Sequence, residues 1–264
     1  MRIDDHWIDH QDGRLFARSW TPRAATAAVP IVLLHDSLGC VALWRDFPAA
    51  LAEATGRRAF AYDRLGFGQA DARTGAMPLD FVAEEARRFF PVVLEQLGIE
   101  RFAVFGHSVG GGMAVHCAAA MQARCVALIT ESAQAFVEDR TVRGLLAARE
   151  QFQEAGQMHK LARHHGDKAA WVLEAWLGTW LSPQFATWSL AEVLPRVTCP
   201  ALVIHGADDE YGSARHPEMI AELIARSTGA QARIELLADT GHVPHREQPE
   251  ALIAAVRDRL AALA

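Results

Sequence analysis

The chain is expected to fold as an α/β domain with a doubly wound, mostly parallel sheet and an inserted helical cap. Three observations carry that expectation. Short apolar runs alternate with segments of helical period along most of the 264 residues, which is the rhythm of βαβ units whose strands are buried on both faces. One run, Arg101-Phe102-Ala103-Val104-Phe105, leads into Gly106-His107-Ser108-Val109-Gly110 and then the small-residue segment Gly111-Gly112-Met113-Ala114-Val115. This reads as strand, sharp turn and helix with a serine at the apex. The alternation then stops between about Ser132 and Val193, a tryptophan-rich stretch with helical patterns and no convincing strand, and resumes beyond it.

Taken in order, residues 5 to 20 alternate around Gln11-Asp12-Gly13-Arg14 and predict an amino-terminal hairpin. After a linker from Pro22 to Pro30, Ile31 to His35 is a continuous apolar strand. Leu43 to Gly56 has helical period, with Gly56 as carboxyl cap. Ala59 to Asp63 is a buried strand followed by the turn Arg64-Leu65-Gly66-Phe67-Gly68, and Leu79 to Leu97 is a long amphipathic helix that Pro91 should kink. The serine turn and its helix follow, then a strand from Cys125 to Thr130. Beyond the insertion come a strand at Pro200 to His205, a helix from about His216 to Arg226, a strand from Ala232 to Ala238 and a closing helix from Pro249. The division is a core of residues 1–131 and 194–264 with a cap of residues 132–193 over the carboxyl edge of the sheet.

Composition narrows the function. Half of the residues are apolar and the net charge is −6, with basic residues scattered among acids, so no electrostatic footprint for nucleic acid or an anionic membrane is expected. Met1-Arg2-Ile3-Asp4-Asp5-His6-Trp7 lacks the apolar core of a signal peptide, and no apolar stretch approaches a membrane span. The four cysteines, Cys40, Cys117, Cys125 and Cys199, have no CxxC spacing and sit in or beside apolar segments, as buried free thiols do. A cytoplasmic enzyme acting on a small molecule is the expectation, and a homodimer is compatible with it.

A serine needs a base to become a nucleophile, and the base needs an orienting acid. Ser108 is followed by Asp208 and Asp209, just past the strand ending at His205, and by His242, just past the last strand. All lie after carboxyl ends of strands, where open parallel sheets assemble their sites. One oxyanion donor is expected at the backbone N–H of Val109, which follows the nucleophile at a helix start. His35, His116 and His205 read as strand-end or helix-packing histidines. His159, His164 and His165 lack clean metal-ligand spacing and read as a solvated helix end, so neither a metal nor a cofactor is expected.

At these residues the chain resembles the α/β-hydrolase superfamily over nearly its whole length. The resemblance rests on Gly106-His107-Ser108-Val109-Gly110, on His205-Gly206-Ala207-Asp208-Asp209, and on Gly241-His242-Val243-Pro244-His245 before Glu247-Gln248-Pro249-Glu250. The family pattern places the acid three residues after the strand-ending glycine, which selects Asp209 over Asp208 and leaves the latter as a turn carboxylate. It places the histidine after a glycine, which selects His242 over His245. It also implies a second oxyanion donor at Ser37, in His35-Asp36-Ser37-Leu38-Gly39, with Asp36 standing where glycine is usual. Asp63 to Gly68 resembles the family turn that shapes the pocket floor.

The implied reaction is hydrolysis of a small or medium carboxylic ester or lactone through an acyl-enzyme on Ser108. Carbon–carbon hydrolysis of ring-cleavage dienoates and cofactor-free perhydrolysis use the same triad. A non-catalytic ligand receptor on this fold is a third reading. Haloalkane and epoxide hydrolases carry aspartate at the elbow, which argues against them here. One or two of Trp171, Trp176, Trp180 and Trp188 are expected at the substrate and the others in packing, with Glu131 and Tyr211 as pocket-wall candidates.

Overall fold

A computed structural model describes residues 1–25, 29–228 and 230–262. Its sheet has eight strands in the order β1-β2-β4-β3-β5-β6-β7-β8. Strands β1 (Arg2–Ile8) and β2 (Leu15–Thr21) form the expected hairpin, with Trp7 opposite Phe16. The β2 strand runs antiparallel to β4 (Ala59–Asp63), which pairs parallel with β3 (Ile31–Leu34). The strands β5 (Phe102–His107), β6 (Cys125–Glu131), β7 (Ala201–Gly206) and β8 (Ala232–Leu237) continue in parallel. Residues 26–28 of the expected Pro22 to Pro30 linker lie outside the described residues.

The period-2 pleat divides the apolar residues into two layers. Val32, Leu34, Phe60, Tyr62, Phe102 and Val104 face one core. Their neighbours Ile31, Leu33, Ala59, Ala61, Ala103 and Phe105 face the other. Helix α1 (Phe47–Thr55) covers the second face, together with the closing helix described below. The expected helix from Leu43 begins later than its apolar period suggests. Val41–Trp44 is a 3₁₀ turn, and Arg45 at φ 52° breaks the ladder before Pro48 opens the helix.

The segment Leu79 to Leu97 resolves into α2 (Phe81–Glu84), a π-helical turn (Glu85–Phe89) and α3 (Phe90–Gln96). Pro91 has no N–H to give, and the wider turn before it absorbs the mismatch without a sharp break. Helix α4 (Val109–Ala120) follows β5 and buries Val109, Met113 and Ala114 in the first core.

Between β6 and β7 lie α5 (Asp139–Gln151), α6 (Gln157–His165) and α7 (Ala169–Trp180). An isolated bridge between Phe136 and Ser189 closes the base of this helical stretch. Helix α8 (Arg215–Thr228) buries Ile220 and Ile224 in the first core. The short α9 (Pro244–Glu247) leads into α10 (Pro249–Ala261), which buries Leu252, Val256 and Leu260 on the opposite face. Helices therefore cover both faces, and no described helix is long and apolar enough to cross a membrane.

Candidate active site

The serine turn is tightly determined. Ser108 sits at φ 55°, ψ −125°, a conformation costly for a residue with a side chain. A Cβ on Gly106 would lie 2.1 Å from the Gly110 carbonyl oxygen, and one on Gly110 would lie 2.2 Å from that of Leu34. Both glycines are therefore required for the turn to close against β3. The Ser108 N–H donates to the Glu131 carbonyl at 2.8 Å, which extends the β5–β6 pairing into the turn.

Three strand ends meet above this turn. His242 Nε2 lies 3.0 Å from Ser108 Oγ, and His242 Nδ1 lies 2.8 and 3.0 Å from the two carboxylate oxygens of Asp209. These partners set the tautomer: Nδ1–H donates to the carboxylate and Nε2 accepts from the serine hydroxyl. Asp209 is fully buried and also accepts from the N–H groups of Tyr211 and Gly212 at 2.8 and 3.1 Å. Burial opposes its charge, but His242 and these donors outweigh burial and hold the carboxyl at about 2. Burial likewise opposes the charged form of His242, and the Asp209 carboxylate overturns that effect, so its pKa rises above the ordinary value. Asp208 is exposed, which leaves Asp209 as the acid in contact with the histidine.

Ser108 and His242 open onto a cavity of about 210 Å³, lined also by Asp36, Ser37, Leu38, Trp176, Trp180 and Tyr211. Thr141 and Leu145 of α5, and Gln134, Glu210 and Val243, complete the wall. Val109 is the first residue of α4, so its N–H has no intrahelical acceptor. Ser37 is the second residue of the turn closed by the Gly39 N–H on the Asp36 carbonyl, leaving its own N–H outside that turn bond. Ser37 shares the cavity lining with Ser108, and Val109 follows Ser108 directly in the chain.

Other residues move from their expected places. Glu131 is fully buried and does not line the cavity; its carboxylate is bound to His245 instead. Trp171 also leaves the pocket: its indole N–H donates to the Gly75 carbonyl at 2.8 Å, and its ring packs on Phe67. Gly66, at φ 93°, makes room for it, since a Cβ there would lie 2.4 Å from the ring. Trp188 stacks on Phe185. The Asp63 to Gly68 turn props the cavity wall and is not its floor, with Arg64 Nη2 donating to the Asp36 carbonyl and Asp63 accepting from the Val41 N–H.

His165 is buried, not solvated. It accepts from the Gly68 N–H at 2.9 Å and donates to the Leu38 carbonyl at 2.9 Å, tying α6 to the loop that lines the cavity.

Sequence reasoning missed Gln134, whose Oε1 lies 3.3 Å from Ser108 Oγ. It also missed Arg140, which donates to the Asp209 carbonyl at 2.9 Å. Among the described residues, His107, Glu131 and His245 form the group with metal-like spacing, their ligand atoms within 4.8 Å. These side chains are already committed. Glu131 accepts from His245, and His107 donates to the His242 carbonyl.

Known proteins resemble this chain in part of its sequence or in fold. A putative non-heme haloperoxidase of Mycobacterium phage D29 is 33% identical over 106 residues, 40% of this chain and 36% of that protein. The chain thus matches little more than a third of that curated relative's length. The structure of proline iminopeptidase from Mycobacterium smegmatis superposes with a TM-score of 0.71 at 24% identity, covering 98% of each chain. Carboxylesterase CesB from Bacillus subtilis gives a TM-score of 0.71 at 20% identity, over 99% of this chain and 93% of that one. The two structural likenesses speak for the fold. The sequence model of the "Alpha/beta hydrolase family" matches residues 31–255, and the chain belongs to that family.

Proposed function

We propose that this protein is a serine hydrolase that cleaves a small or medium carboxylic ester or lactone. The observation that carries the reading is the continuous hydrogen-bonded line from Asp209 through His242 to Ser108 Oγ at the wall of a cavity. Ser108 Oγ attacks the carbonyl carbon while its proton passes to His242 Nε2. Asp209 holds the imidazolium, and the Val109 and Ser37 N–H groups receive the oxyanion. His242 returns the proton to the departing alkoxide, then takes one from water, whose oxygen attacks the acyl carbon; passing that proton to Ser108 Oγ as its bond to the acyl carbon breaks frees the serine and the acid.

Cavity size and charge refine the substrate. About 210 Å³ is below the roughly 300–1,000 Å³ of pockets for drug-sized ligands, which supports a short acyl group. Trp176, Trp180 and Leu145 supply its apolar wall. Asp36 and Glu210 also line it, neither has a side-chain hydrogen bond or ion pair among the described residues, and no described Lys or Arg joins them. An anionic substrate such as a dienoate meets two carboxylates in the lining and no cation there, Arg64 being the neighbouring cation through its bond to the Asp36 carbonyl, so this lining supports a neutral or cationic ester.

The test is labelling with a fluorophosphonate probe, coupled to turnover of p-nitrophenyl esters from acetyl to octanoyl. The expected result is modification at Ser108, with activity on short chains that Ser108→Ala abolishes. An unlabelled Ser108, or equal turnover by Ser108→Ala, refutes the reading.

A further inference from the structure

Behind the triad lies a second buried hydrogen-bonded group that the proposed chemistry does not use. Glu131 ends β6 and His107 ends β5, one residue before the nucleophile. His245 is the second residue of α9, three residues after His242. The Glu131 carboxylate accepts from the His245 N–H at 2.6 Å and from its Nδ1–H at 2.9 Å. His107 Nε2–H donates to the His242 carbonyl at 2.8 Å. Trp44 packs against His245 with ring centroids 4.8 Å apart, and both imidazoles are almost entirely buried.

Glu131 has a double attachment. Its carbonyl holds the Ser108 N–H, while its carboxylate holds the loop that carries His242. A single buried residue therefore spans nucleophile and base. Glu247 pins the same loop from outside, accepting from the Gly241 and Val243 N–H groups at 2.7 and 3.0 Å. That contact is exposed and has no link to the serine turn. The buried carboxylate keeps its charge: burial alone would raise its pKa, but the two imidazoles and the His245 bonds bring it below the ordinary value.

We propose that Glu131, acting through His245, and His107 are positioning residues that set the His242 imidazole against Ser108 Oγ. This rests on the reading of His242 as the base. Proton transfer demands a narrow separation of Oγ and Nε2, and a displacement of about 1 Å at a reacting pair costs roughly 100-fold in rate. Two direct ties between the β5–β6 ends and the histidine loop restrict that displacement.

The experiment compares Glu131→Gln, His107→Leu and His107→Gln with the wild type on a short p-nitrophenyl ester, together with fluorophosphonate labelling and thermal unfolding. In Glu131→Gln the negative charge is lost, and with the amide oxygen in the Oε1 place, 2.6 Å from the His245 N–H, an NH₂ replaces the oxygen that lies 2.9 Å from His245 Nδ1 and sets two donors against each other. The expected result is a roughly 10- to 100-fold lower kcat with KM within about threefold, and labelling slowed in parallel. His107→Leu removes the donor to the His242 carbonyl and should show the same pattern. His107→Gln keeps an N–H donor and should recover most of the loss.

A folded Glu131→Gln protein with wild-type kcat overturns the role of Glu131. Equal kcat in His107→Leu and His107→Gln overturns that of His107, and it decides the proposal if Glu131→Gln does not fold. A wild-type protein left unlabelled overturns the catalytic reading and this proposal with it. A labelled wild type with unimpaired variants overturns this proposal alone.

Discussion

Replacing Asp209 with asparagine separates the electrostatic role of the acid from its shape. The carboxylate accepts from His242 Nδ1 and two backbone N–H groups in a fully buried position. Asparagine can keep the backbone bonds through its oxygen, but then presents an NH₂ to Nδ1. That favours the opposite tautomer, with the proton on Nε2, which cannot accept from Ser108. Reversal of this kind in a serine triad costs roughly 10⁴-fold in kcat, about 5.5 kcal/mol of transition-state stabilisation.

The stability effect follows separately. A carboxyl held at about 2 in the fold against 3.8 outside it contributes about 2 kcal/mol at neutral pH. The folded value is depressed, so this stabilisation is present above about pH 4 and is lost as pH falls through about 2. The variant should therefore be less stable by about that amount at pH 7, with the difference vanishing near pH 2, as read by urea unfolding at both pH values. The pH–rate profile gives a third readout. Catalysis needs neutral His242, whose pKa lies above 6.5 because of Asp209; the acid limb of kcat/KM should fall above pH 6.5 in the wild type. In the variant burial is left to dominate, and the limb should move to lower pH. A loss of activity under tenfold, or a stability gap as large at pH 2 as at pH 7, refutes the reasoning.

Substrate charge is tested with butyrate-length esters ending in methyl, trimethylammonium or carboxylate. At about 6 Å and an effective dielectric of about 20, each like-charge pair costs roughly 3 kcal/mol before screening by salt. The carboxylate ester should therefore fall at least about tenfold below the neutral one in kcat/KM, and an Asp36→Asn, Glu210→Gln double variant should close most of that gap; equal rates in the wild type contradict the charge argument. Trp176→Ala removes part of the apolar wall, enlarges the cavity and should shift preference toward hexanoyl and octanoyl esters by roughly tenfold, whereas an unchanged chain-length profile places Trp176 outside the acyl site. Gly206→Ala would put a Cβ 2.1 Å from the Gly241 carbonyl oxygen and 2.4 Å from that of Thr240, so β7 must move away from the histidine loop. Destabilisation of about 1–3 kcal/mol with a lower kcat is expected in thermal melts and ester assays, and a neutral result means the loop yields freely.

The alternating core was readable because strands buried on both faces leave uninterrupted apolar runs, and because the serine turn has an absolute requirement for glycine. Gly106 and Gly110 each face a carbonyl oxygen closer than any Cβ tolerates, so the pentapeptide carries the geometry in its letters. The start of α1 was less accessible: the helical period runs back to Leu43, and the break lies in the backbone of Arg45. Pro48 was the available signal, since proline belongs in a first helical turn.

The site shows where sequence reasoning stops. Asp209, His242 and Ser108 share a strand-end position, and the α/β topology brings such positions together whatever the side chains do. For Trp171 the necessary information was present in the spacing: Trp176 and Trp180 are four apart and share a face of α7, whereas Trp171 is five residues before Trp176 and turned by about 140°. That rotation points it toward Phe67 and Gly66 instead. For Glu131 no such count exists. A carboxylate at the last residue of a strand can face a pocket or the loop behind it. Here His245, 114 residues away in sequence, decides which. The same local letters would read identically with an alanine at position 245, where the buried charge would have no partner. The acid is therefore legible only together with its histidine, and it is the pairing of distant residues that turns Glu131 from a pocket candidate into the tie between nucleophile and base.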